Sequence, residues 1–424
     1  MNARHHHSHK NLLTSVEAGE APQAGLDAII VPNGRPAAYL KEAIGAAGRN
    51  NAHLLLLCSI RADASSAALE AKRAGVRVTA VDTDLLPGWL VPTFATDKLL
   101  RGGDFHRRVD TSLKRNLGLL IALLAGWERI LFLDDDIVLP DPGDLTAAAG
   151  LLGEHPVVGL RNAGMPDNSV VCHALRDAGA PQDTFIGGGA LAVGEAAFGS
   201  FFPNIYNEDW FFLLDGRRLR PTAVTGTALQ RAYDPYRDPR RARGEELGDT
   251  LAEGVYGLLD NGFDLADAHE GYWREFLPDR RRVISSTIDR VRDSAIEPAQ
   301  KARMVASLKA AIGRNYLITP DLCVKYLRAW QADRVRWRSH VSALRRDYGR
   351  RPAGIKRALT MLGIGQFAQP GVDGRITPAA RRQSARIRAE GPAVSAPPDP
   401  WSTRDTARVP QAPRHRVGVA ARSK

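Results

Sequence analysis

The chain has little cysteine and no long apolar run. Three cysteines, Cys58, Cys172 and Cys323, lie far apart among 424 residues, which excludes a disulfide framework or a cysteine zinc site and suits a reducing cytoplasm. The longest apolar candidate, residues 117–133, is broken by Glu128 and Arg129, short of the roughly 20 residues a membrane-spanning helix needs. The first ten residues hold a histidine cluster and lack the apolar core of a secretory signal. With 44% apolar and 25% charged residues, the composition is globular, which excludes a wholly disordered or fibrous chain.

The charge is unevenly placed. The net charge is +11, yet residues 331–424 carry 20 Lys+Arg against 6 Asp+Glu, leaving 38 against 41 before them. Basicity therefore belongs to the C-terminal region. The expected organisation is a loose polar leader over residues 1–24, a main domain over 25–279, a helical extension over 280–350 and a basic disordered tail over 351–424. His5, His6, His7 and His9 have the chemistry to chelate a metal, but in a polar segment without apolar period they read as part of the leader.

Short apolar runs alternate with helical patterns from Ala28 onward. Ala28–Val31 ends in the turn formers Pro32-Asn33-Gly34, and a helical stretch follows over 37–47. His53–Cys58 and Val76–Val81 read as further strands, with a serine-capped helix over 65–74 between them. Alternation of this kind predicts an α/β fold with a parallel sheet and helices on both faces. Asp110, Thr111 and Ser112 offer N-caps to a helix with Leu113, Leu117, Leu120 and Leu124 at helical spacing, stopped by Gly126. Ile130–Leu133 is then a wholly apolar strand running into Asp134-Asp135-Asp136. Strand-like segments follow at 157–160 and 184–193, and helical, basic character beyond Asp279.

Ligands of open parallel sheets sit beyond the carboxyl ends of the strands, so the three aspartates face the expected crevice. Adjacent carboxylates repel, and a divalent cation with oxygen ligands, Mg²⁺ or Mn²⁺, is the usual way to hold them together. Such an ion completes its shell with phosphates, which makes a nucleotide diphosphate compound the natural partner. The plainer alternative is a solvated acidic loop or helix cap.

Leu131-Phe132-Leu133-Asp134-Asp135-Asp136 resembles the Asp-x-Asp motif of glycosyltransferases with the GT-A fold, the family 2 type in particular. Other pieces match in order over residues 28–226: Ile29–Arg35 resembles the nucleotide-binding start, Lys114-Arg115-Asn116 the basic-plus-Asn segment, Gly187-Gly188-Gly189 the acceptor-side glycine loop, and Asn207-Glu208-Asp209-Trp210 the Glu-Asp motif. The resemblance implies a metal-dependent hexosyltransferase with a Rossmann-like GT-A core. Its donor would be UDP- or GDP-linked and its acceptor an unidentified hydroxyl. By the same resemblance Asp134 contacts the nucleoside, Asp135 fills the variable middle position and Asp136 ligates the metal. Pro32, Asn33 and Arg35 line the base and ribose pocket, with Asp82 as a further base contact. Lys114 and Arg115 face the diphosphate, and Asp209, or else Glu208, is the general base of an inverting enzyme. A third metal ligand has only His269 and the nearer Gln230 as candidates. Trp210, Phe211 and Phe212 read as core more readily than as a sugar platform.

Three other readings compete. Asp134–Val138 also resembles the start of a haloacid-dehalogenase-like phosphatase, but that motif normally follows the first strand of its domain, and at least three strand-like segments precede it here. A sugar nucleotidyltransferase would need a longer basic loop than Asn33-Gly34-Arg35. The basic tail offers an anionic membrane surface or nucleic acid a counterion-releasing partner, although no nucleic-acid fold signature is present and no specific nucleic acid is expected. Peripheral contact with the inner face of the membrane would suit a lipid acceptor.

Overall fold

The computed structural model describes residues 6, 8–165, 169–181, 185–348 and 354–370. The strands are β1 (Thr14–Ser15), β2 (Ala28–Asn33), β3 (His53–Cys58), β4 (Val78–Asp82), β5 (Arg129–Leu133), β6 (Ile137–Val138), β7 (Val157–Gly164), β8 (Ala190–Gly194), β9 (Thr222–Gln230) and β10 (Ala368–Pro370). They form one mixed sheet in the order β1-β9-β7-β8-β5-β2-β3-β4-β10, with β6 paired to the end of β9. The α/β class is as the alternation predicts.

Strands β2 to β5 run parallel, and the chain moves outward from β2 through β3 to β4 before returning to β2's other side as β5. That reversal is a topological switch point, where the open crevice of such a sheet lies. The carboxyl ends, Asn33, Cys58, Asp82 and Leu133, share one edge. Strand β8 is antiparallel to β5, so its start brings Gly187–Gly189 to the same edge.

The strands read as continuous apolar runs because both faces are covered. Ile30, Leu55 and Phe132 pack under the helix Thr111–Ala125, while Ile29, Leu54, Leu56 and Leu131 face the helices Lys41–Arg49, Ala64–Arg73 and Asp144–Leu151. Gly118 lets the first helix lie close: a Cβ there would stand 3.0 Å from Ile30 and 3.1 Å from Phe132. Local details differ from expectation. The stretch at Ala37 begins as a 3₁₀ turn, Ala37–Leu40, and Asp63 rather than a serine caps the next helix, accepting the Ser66 N–H at 2.7 Å. The strand expected over 184–193 starts only at Ala190.

Three expected boundaries do not hold. The leader is woven in from residue 8: β1 pairs in parallel with β9, and Ala24 N–H donates to Thr146 O at 3.0 Å. His6 and His9 are buried beside Phe185, Trp210 and Tyr256, with His9 stacked on Tyr256 at 4.8 Å. Residue 279 falls inside the unbroken helix Glu270–Asp293. The helix Pro320–Tyr348 belongs to the main core, because Trp330 and Trp337 are fully buried there and Asp333 caps the helix Ala95–Leu100 through the N–H groups of Ala95 and Thr96. Within the expected tail, the helix Gly354–Met361 packs on Thr111–Ala125 and β10 pairs with β4. Residues 371–424 lie outside the described residues. Among those described, no helix is long and apolar enough to cross a membrane.

Candidate active site

Two arginines organise the edge. Arg35, just past β2, donates through Nε to Asp135 Oδ1 at 2.9 Å, makes a second bond to the same oxygen, and lies 3.2 Å from Asp136 Oδ2. Its own N–H is held by Asn33 Oδ1 at 3.1 Å, and its guanidinium covers the Tyr39 ring. The pair of carboxylates and Arg35 therefore span the switch point between β2 and β5. Burial works against this guanidinium's charge, yet Asp135 and Asp136 hold its pKa above the ordinary value.

Arg115 ties a second set together. It projects from the helix before β5, is buried, and donates from Nη2 to both Asp134 oxygens at 3.1 and 3.0 Å and from Nη1 to Glu208 at 2.8 Å. Arg107 approaches the other Glu208 oxygen at 3.4 Å. The glycine loop fits around this arrangement. A Cβ on Gly188 would stand 2.4 Å from the Arg115 guanidinium, so a side chain there would have to push Arg115 off its carboxylate partners. Gly188 N–H donates to Asp209 Oδ2 at 2.6 Å, Trp210 N–H to Asp209 Oδ1 at 2.9 Å, and Asp134 N–H to Gly189 O at 2.9 Å. The expected acidic strand end, glycine loop and Glu-Asp pair are thus one bonded assembly.

The electrostatics follow. Burial pushes Asp134 up to about 7, with Asp136 and Asp135 adding to the rise against Arg115. Burial likewise pushes Asp209 up to about 6, helped by Glu208 and opposed by Arg115 and two backbone N–H groups.

Several expected contacts serve the scaffold. Lys114 is buried under the edge, bound to Asn33 O at 2.9 Å, Ser59 Oγ at 2.6 Å and Asp110 at 3.1 Å, so its ammonium braces β2 and β3 instead of facing the crevice. Asn116 exchanges two 2.8 Å bonds with the Phe202 backbone. Pro32 is within β2. Asp82, at the end of β4, accepts the Asp84 N–H at 3.2 Å and shapes a turn. His269 caps its helix through Nδ1, 3.2 Å from Tyr272 N–H, and among the described residues no contact joins it to Asp136. Gln230 pairs with Ile137 and is the nearer of the two candidates. Sequence reasoning missed Arg107, Ser59 and the anchor of Asn207, which has a left-handed backbone (φ 60°) and donates to Asp249 at 3.0 Å. An asparagine directly before the acid pair was the available signal, since asparagine tolerates that conformation.

Positive charge for the three aspartates comes from Arg35 and Arg115, so their proximity does not itself require a cation. The donor set nevertheless suits one. All its atoms are carboxylate oxygens, the Asp134 and Asp136 side chains keep 29% and 17% exposure, and Asp135 Oδ2 is buried with no hydrogen-bond partner among the described residues. Among the described residues, though, the only group of three such side chains whose ligand atoms all lie close enough to share an ion is Cys172, Asp249 and Glu253. There the cation is already present: Arg280 lies 2.7 Å from both Asp249 and Glu253.

No protein-family model matches the chain, and no curated protein matches it. Among solved structures, a mannosyltransferase from Pyrobaculum calidifontis in complex with GDP-Man and Mn²⁺ is similar over 81% of this chain and 88% of its own, at 12% identity and a TM-score of 0.33. A likeness that loose assigns neither family nor activity.

Proposed function

We propose that the chain is a metal-dependent glycosyltransferase of the GT-A, family 2-like type, moving a hexose from a UDP- or GDP-linked donor to a hydroxyl acceptor. The observation that carries this is the single assembly at the switch point, in which Arg35 binds Asp135, Arg115 ties Asp134 to Glu208, and the loop Gly187–Gly189 joins Asp134 to Asp209. Asp136 would hold Mn²⁺ or Mg²⁺, with Asp134 beside it toward the nucleoside. The ion would supply charge neutralisation for the departing diphosphate. Arg35 shares those carboxylates and is the side chain placed to exchange them for a phosphate, whose oxygens match its forked N–H groups.

Asp209 is the better base of the acid pair. Glu208 is committed to Arg115 and Arg107, whereas Asp209 is held by two backbone N–H groups and is raised to about 6, near the pH at which a base is both ionised and effective. This role belongs to an inverting reaction. Membrane contact through the basic tail goes with a lipid acceptor.

The test is a thermal-shift panel of UDP, GDP and their sugars with and without Mn²⁺, because a ligand of the native state raises the melting temperature by mass action. A metal-dependent shift with one nucleotide supports the assignment and names the donor class. A folded sample that responds to none of them overturns it.

A further inference from the structure

A second charged site lies away from the aspartates, at the other end of the helix Glu208–Leu213. Arg220 covers that helix terminus, donating to Leu213 O at 3.2 Å, Leu214 O at 3.3 Å and Ser200 Oγ. A cation there is accounted for by the terminal carbonyls. Arg334 and Arg338 are not so explained. Arg334 is only 5% exposed and lies over the Trp330 ring at 5.0 Å, with its Nη1 beside Gly216. Arg338, one turn further along the same helix, is exposed and lines two adjoining hollows of about 640 and 300 Å³. Among the described residues neither has a carboxylate within ion-pair distance.

The nearby acids are already engaged. Asp215 accepts the N–H groups of Arg217 and Arg218, both at 2.8 Å, and Asp264 pairs with Arg217 at 2.8 Å. Arg217, Arg218 and Arg338 line the larger hollow from different elements together with Asp215 and Asp264, and Ser339, Ser342 and Arg346 continue the smaller one along the helix. Burial pulls Arg334 down to about 10, with Arg338 and Arg220 adding to the fall and Asp215 opposing it. The four exposed arginines that line the two hollows outnumber the two acids among them, and guanidinium groups with serine hydroxyls are the donor set for phosphate oxygens.

We propose that the groove between Arg218 and Arg338 binds a phosphate or diphosphate group of a phosphorylated ligand. This is independent of the donor crevice and of the function proposed above. The ligand is either a soluble phosphate ester or an anionic phospholipid headgroup, which share this chemistry.

The experiment is calorimetric titration of inorganic pyrophosphate into the full chain at low salt with EDTA, paired with flotation on phosphatidylglycerol and phosphatidylcholine vesicles. Arg338→Glu and Arg218→Glu are exposed substitutions on two different elements, and Arg73→Glu makes the same change of net charge elsewhere. Each groove variant is expected to weaken binding at least tenfold, with Arg73→Glu within twofold of the parent. Loss of pyrophosphate binding without any flotation identifies a soluble ligand; flotation on phosphatidylglycerol alone, lost in both groove variants, identifies a headgroup. The proposal is overturned if the parent binds neither probe, or if the groove variants behave like Arg73→Glu, which would place any binding in the donor crevice or in net charge.

Discussion

Two clusters of three carboxylates are connected through Asn207, Glu208 and Arg115, and their difference separates scaffold from site. Glu246, Asp249 and Glu253 surround Arg280 in the helical layer, with all four side chains at most 4% exposed. Asn315 and Thr250 satisfy Glu246 further. Asp134, Asp135 and Asp136 share Arg35 and Arg115 at a strand end and remain 10–29% exposed. The sealed cluster has its cation built in; the open one keeps partly exposed carboxylates and a buried Asp135 oxygen without a hydrogen-bond partner among the described residues. The two are joined, because Asp249 holds Asn207, and Asn207 introduces Glu208 and Asp209. The sealed network thus positions the acid pair of the open one.

The largest effect is expected from Arg280→Leu, which leaves three buried carboxylates without a counter-charge and costs about 3–5 kcal/mol of stability. Thermal and urea melts read it directly. Asp136→Asn should act in the opposite sense on stability, because it relieves repulsion among three acids while Asp135 keeps Arg35. Its melting temperature holds or rises, while metal-dependent nucleotide binding disappears and transfer falls about 10³-fold. An Asp136→Asn protein that melts as early as the Arg280 variant would make the open cluster scaffold as well.

The same contrast explains what could be read in the sequence. Strands β2, β3 and β5 were legible because burial on both faces writes them as unbroken apolar runs, and the aspartates because an apolar strand ends at them. Arg280 was not, since a charged residue inside a basic stretch reads as solvated, and only three non-local acids make it the most enclosed arginine of the helical layer. Lys114 and Asn116 misled for a related reason. Their place at a helix start beside the acidic strand suggested ligands, but the helix turns both toward backbone carbonyls. His6 and His9 have no apolar period, and their burial depends on Phe185, Trp210 and Tyr256, far along the chain.

A smaller, graded effect concerns pH. Asp209 is raised to about 6, so the native state keeps its proton above the ordinary carboxylate range and stability falls as pH rises from about 4 toward 6. Catalysis runs the other way. In an inverting reaction kcat/KM should climb through a midpoint near 6 as the base ionises. Asp209→Asn should abolish transfer, spare donor binding and lessen the decline in stability over that interval, to which Asp134 and Asp249, both raised to about 7, also contribute. A rising limb that persists at a lower midpoint in Glu208→Gln, where the charge that helps raise Asp209 is gone, but is lost with Asp209 assigns the titration to Asp209; full turnover in Asp209→Asn removes the base.

The smallest effect is expected where the sequence is most basic. A cut after residue 370 retains β10 and the buried Ala358, Leu359, Leu362 and Ile364, so the melting temperature and nucleotide response should match the full chain. A cut after residue 353 instead uncovers the β4 edge and one flank of the helix Thr111–Ala125, and should lower stability and promote aggregation. If the shorter cut is silent in melts and turnover but weakens binding to anionic vesicles, residues 371–424 act on partners and the sheet edge ends at Pro370. An equal loss of stability in both truncations would place residues beyond 370 in the fold, moving the boundary between scaffold and basic tail.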